Sequence, residues 1–214
     1  MKYIKRLSVI FMMFGSFPLA QAQYSQLFLL DDFTQGIVLM NDGSKTVSIM
    51  NYDAGGQVMV FLHEDELFML DNISKVDTVY LGKRKFIPER NHYLEVVPVD
   101  NGIVYINWHY KEINQGKKGA YGATQGTVES INTNTYRRGG KFEHNPIDLT
   151  KVKLQNEYSL SLDNKIIKFK DKKGLLKQLK EQSPQIEAYI DKENLKFDKP
   201  DDMIELADYC MGLD

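Results

Sequence analysis

The scarcest residue in this 214-residue chain is cysteine, which occurs once, at position 210. A single cysteine excludes an intramolecular disulfide, so the fold must be held by an ordinary hydrophobic core. Histidine occurs only four times, at widely separated positions without the H-x-x-x-H spacing of a zinc-binding helix. The sequence therefore predicts no metal site and no cofactor.

Motifs for nucleophilic catalysis are also missing. The chain has no Gly-x-Ser-x-Gly elbow, and its glycines at 119, 122 and 126 lack the Gly-Lys-Ser/Thr ending of a phosphate-binding loop. Cys210 lies on the apolar side of a predicted terminal helix, where a buried, inert thiol is favoured over a reactive one. The sequence therefore favours a protein that is not an enzyme. The exception is a pair of carboxylates brought together by folding, as in a glycoside hydrolase, because such a pair leaves no sequence motif.

Long hydrophobic runs are confined to the N-terminus. Three cations within the first six residues precede an uncharged, mostly apolar run over residues 7–19, and the small residues Ala20 and Ala22 follow. This order predicts a cleavable signal peptide over residues 1–22, cut between Ala22 and Gln23. No later stretch approaches the roughly 20 apolar residues of a transmembrane helix. We therefore expect an exported protein of the periplasm or outer envelope, or a secreted one.

Charge argues against a nucleic-acid partner. Removing the three cations of the leader from the net charge of −2 leaves −5, whereas nucleic-acid-binding proteins carry basic stripes. The charge is also uneven, because residues 151–180 carry a net +6 and residues 181–214 a net −7. One interpretation is a docking surface. The other, which charge runs usually favour, is two solvated faces that partly neutralise each other.

The spacing of the apolar runs predicts a sheet. From Thr34 to about Lys111, short strand-like runs alternate with turn residues, and Asp42-Gly43 stands between two of them as a strong hairpin signal. Residues 100–102 join two further runs in the same way. We expect an antiparallel sandwich, meander or partly open barrel over residues 23–170.

The C-terminal segment, residues 171–214, has helical patterns. Ser183-Pro184 predicts the N-cap and first residue of a helix, and another short helix is predicted after Pro200. The apolar stripe of this last helix must pack on something, most simply the β body; it comprises Met203, Leu206, Ala207 and Cys210. The overall expectation is a mainly β, α+β protein with a short C-terminal helical appendage.

Candidate contacts to a ligand or partner lie in and after the predicted strand that holds the only tryptophan. Strand alternation puts Trp108 and His109 on opposite faces. The glycine-rich segment 114–145 carries five cations against two acids. The candidates are Trp108, His109, Tyr121, Arg137 and Arg138. The alternatives are a tryptophan in the core and a solvated loop.

Several runs together resemble a group of uncharacterised exported proteins of Bacteroidota: residues 36–44, residues 76–86 and Ala120-Tyr121-Gly122-Ala123-Thr124. The resemblance implies an envelope location and brings no catalytic residues. It also makes Asp77-Thr78-Val79 similar to the O-glycosylation acceptor of that phylum, which marks Thr78 as a candidate site. The alternative is that Thr78 is an ordinary strand residue.

Three functions are consistent with these observations. The leading hypothesis is a non-enzymatic binding or interaction module of the cell envelope, with an envelope protein or an anionic glycan as its partner. The second is a hydrolase acting on envelope glycan or peptide. The third is a structural subunit docked through the C-terminal helices.

Overall fold

A computed structural model gives the fold of the chain and describes residues 27–64, 66–112, 136–138, 141–143, 152–162 and 165–213. The strands are β1 (Thr34–Met40), β2 (Lys45–Asp53), β3 (Val58–His63), β4 (Glu66–Met69), β5 (Val76–Leu81), β6 (Arg84–Glu89), β7 (His92–Val99), β8 (Gly102–Asn107), β9 (Tyr110–Glu112), β10 (Tyr136–Arg138), β11 (Lys141–Glu143), β12 (Val152–Leu154), β13 (Glu157–Leu162) and β14 (Lys165–Phe169). The helices are α1 (Lys172–Gln178), α2 (Ser183–Glu193) and α3 (Pro200–Met211).

Most of the strands form one open antiparallel sheet, in the order β10-β11-β4-β3-β2-β1-β5-β6-β7-β8-β13-β14. Two meanders, β1–β4 and β5–β8, are joined side by side through the β1–β5 pair. A separate two-stranded sheet consists of β12 and β9. β3 also approaches β7 although four strands separate them in the order, so the sheet curls on itself. The predicted mainly antiparallel β fold with C-terminal helices is confirmed.

The hairpin signal at Asp42-Gly43 is confirmed. Gly43 adopts a φ of +83°, the Asp42 carboxylate accepts a hydrogen bond from the Ser44 N–H at 2.8 Å, and β1 pairs with β2 from Thr34–Met50 to Leu39–Lys45. The left-handed conformation is open to glycine without the steric cost that a side chain brings.

β6 is a strand that the sequence pattern did not predict. Its sequence, Arg-Lys-Phe-Ile-Pro-Glu, lacks the polar–apolar alternation of a half-buried strand, and within it only Phe86 is fully buried. Pro88 lies inside it, but the pairing with β5 ends at Phe86, so Pro88 lies where β6 pairs with β7 alone. This position is compatible with proline, which cannot donate a ladder hydrogen bond.

The helices complete the core of the sheet. α3 packs on β8 and β13, and α1 packs on β14. The predicted apolar stripe of α3 is confirmed, since its four residues are all 0 % exposed within the same core as the sheet: Met203, Leu206, Ala207 and Cys210. Burial raises the pKa of the Cys210 thiol to about 12. This apolar face is thus used within the chain and is not free for a docked partner.

The predicted N-cap at Ser183 is wrong. Ser183 is the first residue of α2, after Gln182, and its hydroxyl donates to the carbonyl oxygens of Leu176 at 3.0 Å and Leu179 at 2.9 Å. These bonds satisfy two carbonyl groups at the end of α1. The hydroxyl is therefore not used to cap α2. Pro184, predicted as the first helical residue, is the second residue of α2 and lies in its first turn.

Asp53 is a buried acid at the end of β2. The residue is 3 % exposed, and its Oδ1 accepts a hydrogen bond from the Gly55 N–H at 2.9 Å. Burial raises the pKa of Asp53 to about 6, against the lowering effect of the Gly56 and Gly55 N–H groups. The folded protein therefore holds this proton more tightly than the unfolded chain does.

This proton gives a testable pH dependence. A carboxyl group with a raised pKa in the folded state contributes stability at any pH below its pKa in the unfolded chain. That contribution is lost as pH rises from about 4 to about 6. Two pKa units correspond to about 3 kcal/mol. In Asp53→Asn this decline should be missing, as measured by urea unfolding at pH 4 and pH 7. Parallel pH curves for both proteins would contradict the assignment.

Candidate functional site

The structure places Trp108 in the core. The residue is 4 % exposed, and its indole Nε1–H donates to Glu95 Oε2 at 2.5 Å. The Arg84 guanidinium lies 5.4 Å from the centre of the indole ring and 3.2 Å from the same Glu95 oxygen. Trp108 is therefore a core residue, which was the alternative to a ligand contact, and its ring is not exposed to a ligand.

Glu95 is the centre of this cluster. It is 6 % exposed on the inner face of β7, and desolvation raises its pKa, against the lowering effects of Arg84 and of the Trp108 hydrogen bond. Tyr110 packs its ring edge-to-face with Trp108, with the ring centres 6.3 Å apart. Because Trp108 and Arg84 both donate to the carboxylate, the cluster ties the residue after β8 to β7 and β6.

The second polar region is a cleft beside β12, β13 and the connection between α2 and α3. The cleft has a volume of about 400 Å³. Its lining residues are Lys153, Leu154, Gln155, Asn156, Tyr158, Lys170, Asp171, Phe197 and Asp198. His109 lies at its border, because the His109 N–H donates to Asn156 Oδ1 at 3.0 Å and the His109 carbonyl accepts from the Gln155 N–H at 2.7 Å.

The floor of the cleft is held in place by packing and hydrogen bonds. Asn156 is 5 % exposed, and its amide nitrogen donates to the Tyr158 hydroxyl at 3.4 Å. The Tyr158 ring stacks on Phe169, with the ring centres 5.6 Å apart. An amide and a hydroxyl with fixed positions are groups that orient a polar ligand at low entropic cost.

Lys153 and Lys170 line the cleft, and Lys111 lies next to it as the strand neighbour of Lys153. In the β9–β12 pair, Lys111 and Lys153 are direct partners, a placement in which like charges destabilise a sheet. Lys170 Nζ lies 3.6 Å from Glu157 Oε2. Desolvation lowers the pKa of His109, and the charges of Lys170 and Lys111 lower it further. The positive charges of Lys170 and Lys111 thus act on the His109 imidazole.

Acidic groups face these cations. Asp171 and Asp198 also line the cleft, and Asp171 Oδ1 accepts a hydrogen bond from the Gly174 N–H at 2.7 Å as the N-cap of α1. Among the described residues, no group of three or more His, Cys, Asp or Glu side chains is arranged to hold a metal ion.

The remaining sequence candidates lie on other elements or outside the described residues. Arg137 and Arg138 lie on β10, at the opposite end of the sheet order from β14. Tyr121 and the predicted cleavage position between Ala22 and Gln23 lie outside the described residues. Among the candidates in the described part of the chain, His109 borders the cleft.

Thr78 lies on β5 and is 6 % exposed, with its hydroxyl donating to Asp77 Oδ2 at 3.0 Å. Attachment of a sugar to this oxygen would require the strand to be open, as in a chain that has not yet folded. The O-glycosylation of Thr78 stays a prediction.

Fold and site together define a mainly β protein with a ligand-sized polar cleft. A comparison with known proteins found no matching family model, no matching curated protein and no matching solved structure. No helix within the described ranges is long and apolar enough to cross a membrane. The geometry of the cleft therefore carries the functional proposal.

Proposed function

We propose that this chain is an exported, non-enzymatic binding module of the cell envelope, and that its cleft binds an acidic sugar of an envelope glycan. The observation that carries the proposal is the direct cross-strand pairing of Lys111 with Lys153 beside the fixed amide and hydroxyl of Asn156 and Tyr158. A carboxylate or phosphate placed between the two ammonium groups removes the repulsion of the empty site.

The dimensions and lining of the cleft also suit a sugar. Its volume of about 400 Å³ falls in the usual range of small-molecule sites, about 300–1,000 Å³. Phe197 supplies an aromatic ring, and the polar groups of Asn156 and Tyr158 can bond to sugar hydroxyls. The export signal read from residues 1–22 supports an envelope ligand over a cytosolic one.

The proposal predicts that Lys153→Gln binds a glucuronate-containing tetrasaccharide about tenfold or more weakly than the unaltered chain, because a hydrogen bond to a charged group contributes about 1.5–3 kcal/mol. Isothermal titration measures the affinity. Lys83→Gln removes the same charge from the exposed β5–β6 turn and serves as the matched control. A neutral glucose tetrasaccharide should not bind measurably.

His109 gives a second readout of the same titration. Because Lys170 and Lys111 lower the pKa of His109, an anion bound between the lysines should raise that pKa, as followed by NMR of the imidazole protons. Equal affinity for the neutral sugar, or an unchanged His109 pKa at saturation, would contradict binding at this cleft.

A hydrolase is the second candidate, favoured by the presence of Asp171 and Asp198 in one cleft. Glycoside hydrolysis needs two carboxyl groups on either side of the scissile bond, one of them free to donate a proton. The engagement of Asp171 as a helix cap is the point against it. Release of reducing ends from the bound tetrasaccharide would favour this candidate over a binding module.

A further inference from the structure

A groove beside α1 is lined mainly by lysines. Residues 165–180 contain seven lysines, and α1 lies along the edge strand β14, where the Gln178 amide donates to the Lys168 carbonyl oxygen at 2.5 Å. The lysine groove, with a volume of about 570 Å³, is lined by Lys172, Lys173, Leu176, Lys177, Lys180 and Glu187.

Three of these lysines carry uncompensated charge. Lys172 pairs with Glu187 at 3.4 Å. Within the part of the chain that the structure describes, no ion pair involves Lys173, Lys177 or Lys180. Lys173 and Lys177, four residues apart, lie on one side of α1, and Lys180, which follows the helix end at Gln178, lines the same groove. Three free ammonium groups on one side of a groove hold a local positive potential in a chain of negative net charge.

Apolar groups lie among these charges. Leu176 is half-buried in the middle of the lysines, while its neighbour Leu175 is fully buried and anchors α1 on the sheet. Lysine stems are themselves apolar and extend the apolar floor. The groove therefore combines exposed cations with a half-buried aliphatic side chain.

We propose that the lysine groove docks the protein on an anionic lipid bilayer, with the lysines on the lipid phosphates and Leu176 at the apolar boundary. The groove is open and offers no buried polar side chain to enclose a small anion, whereas a bilayer presents phosphates as an extended array above an apolar layer. This surface is separate from the sugar cleft, since none of its lining residues is shared.

Vesicle co-sedimentation of the full chain tests this docking. The variant Lys173→Gln/Lys177→Gln/Lys180→Gln keeps the side-chain length and removes the three free charges. At low salt, its binding to mixed phosphatidylglycerol–phosphatidylcholine vesicles should weaken at least about tenfold, since each lysine near an anionic surface contributes about a fivefold factor. High salt should abolish the difference.

The control is Lys45→Gln/Lys75→Gln/Lys83→Gln, which changes net charge equally at exposed positions on β2, in the short 3-10 helix before β5 and in the β5–β6 turn. It should bind within about twofold of the unaltered chain, and residues 1–22 are common to all three proteins. Equal loss in both triple variants, equal binding to pure phosphatidylcholine, or binding of soluble polyphosphate without binding of vesicles would overturn the proposal. Thermal melts followed by circular dichroism would check that both variants are folded.

Discussion

Leu206→Ala should lower the free energy of unfolding by about 2–5 kcal/mol, as is usual for truncation of a buried leucine. Leu206 is 0 % exposed, and α3 packs it against β8 and β13, so the lost methyl groups leave a cavity that the sheet cannot close. The effect should be seen at Trp108, the only tryptophan, which lies in the β body. Urea unfolding followed by its fluorescence measures the change.

Glu205→Ala is the matched control for this prediction. Glu205 is the neighbour of Leu206 on α3, is exposed, and accepts one hydrogen bond from the Tyr189 hydroxyl at 2.8 Å. Its replacement should cost less than about 1 kcal/mol. If α3 were a separable appendage, Leu206→Ala would leave the fluorescence transition of Trp108 unmoved, and the single-core description would fail.

Glu95→Ala should lower the free energy of unfolding by about 2–4 kcal/mol. Removing one partner of a buried pair typically costs about 3–5 kcal/mol, and the partial exposure of the Arg84 side chain, 36 %, reduces this. The variant leaves the Trp108 N–H without its acceptor in a buried site. Glu95→Gln, which retains an acceptor oxygen, should recover part of the loss.

Glu89→Ala provides the comparison, because Glu89 pairs with Lys168 at 3.7 Å at the surface, where both side chains are about a third to a half exposed. Exposed pairs contribute about 0–1 kcal/mol, so this variant should stay close to the unaltered chain. Similar losses in Glu89→Ala and Glu95→Ala would show that burial of the Glu95 cluster does not contribute as described.

The strands that could be predicted from the sequence are those marked by a turn motif or by an apolar run with the period of a strand. Asp42-Gly43 sets the first hairpin because the turn itself demands glycine, and the apolar runs on either side have the period of a strand. The sequence pattern does not predict β6, because Lys85, Pro88 and Glu89 are all poor strand formers. Its place is fixed instead by Phe86 in the core and by its pairing with β7.

The cleft could not be predicted from sequence for a different reason. Lys111 and Lys153 are distant along the chain and become neighbours only through the pairing of β9 with β12. Asn156 and Phe197 meet through the packing of the helices on the sheet. The sequence shows that residues 151–180 are rich in lysine. It does not show which of these lysines line the cleft and which line the groove, because the fold separates them.

The lysines around β14 have one more consequence, which concerns the sheet itself. An outermost strand exposes hydrogen-bonding groups that can recruit a strand from another molecule. Here Lys165 and Lys168 are exposed on that strand, and the Gln178 amide already bonds to the Lys168 carbonyl. Repulsion between like-charged edges and the occupied carbonyl both oppose strand-by-strand polymerisation at this border.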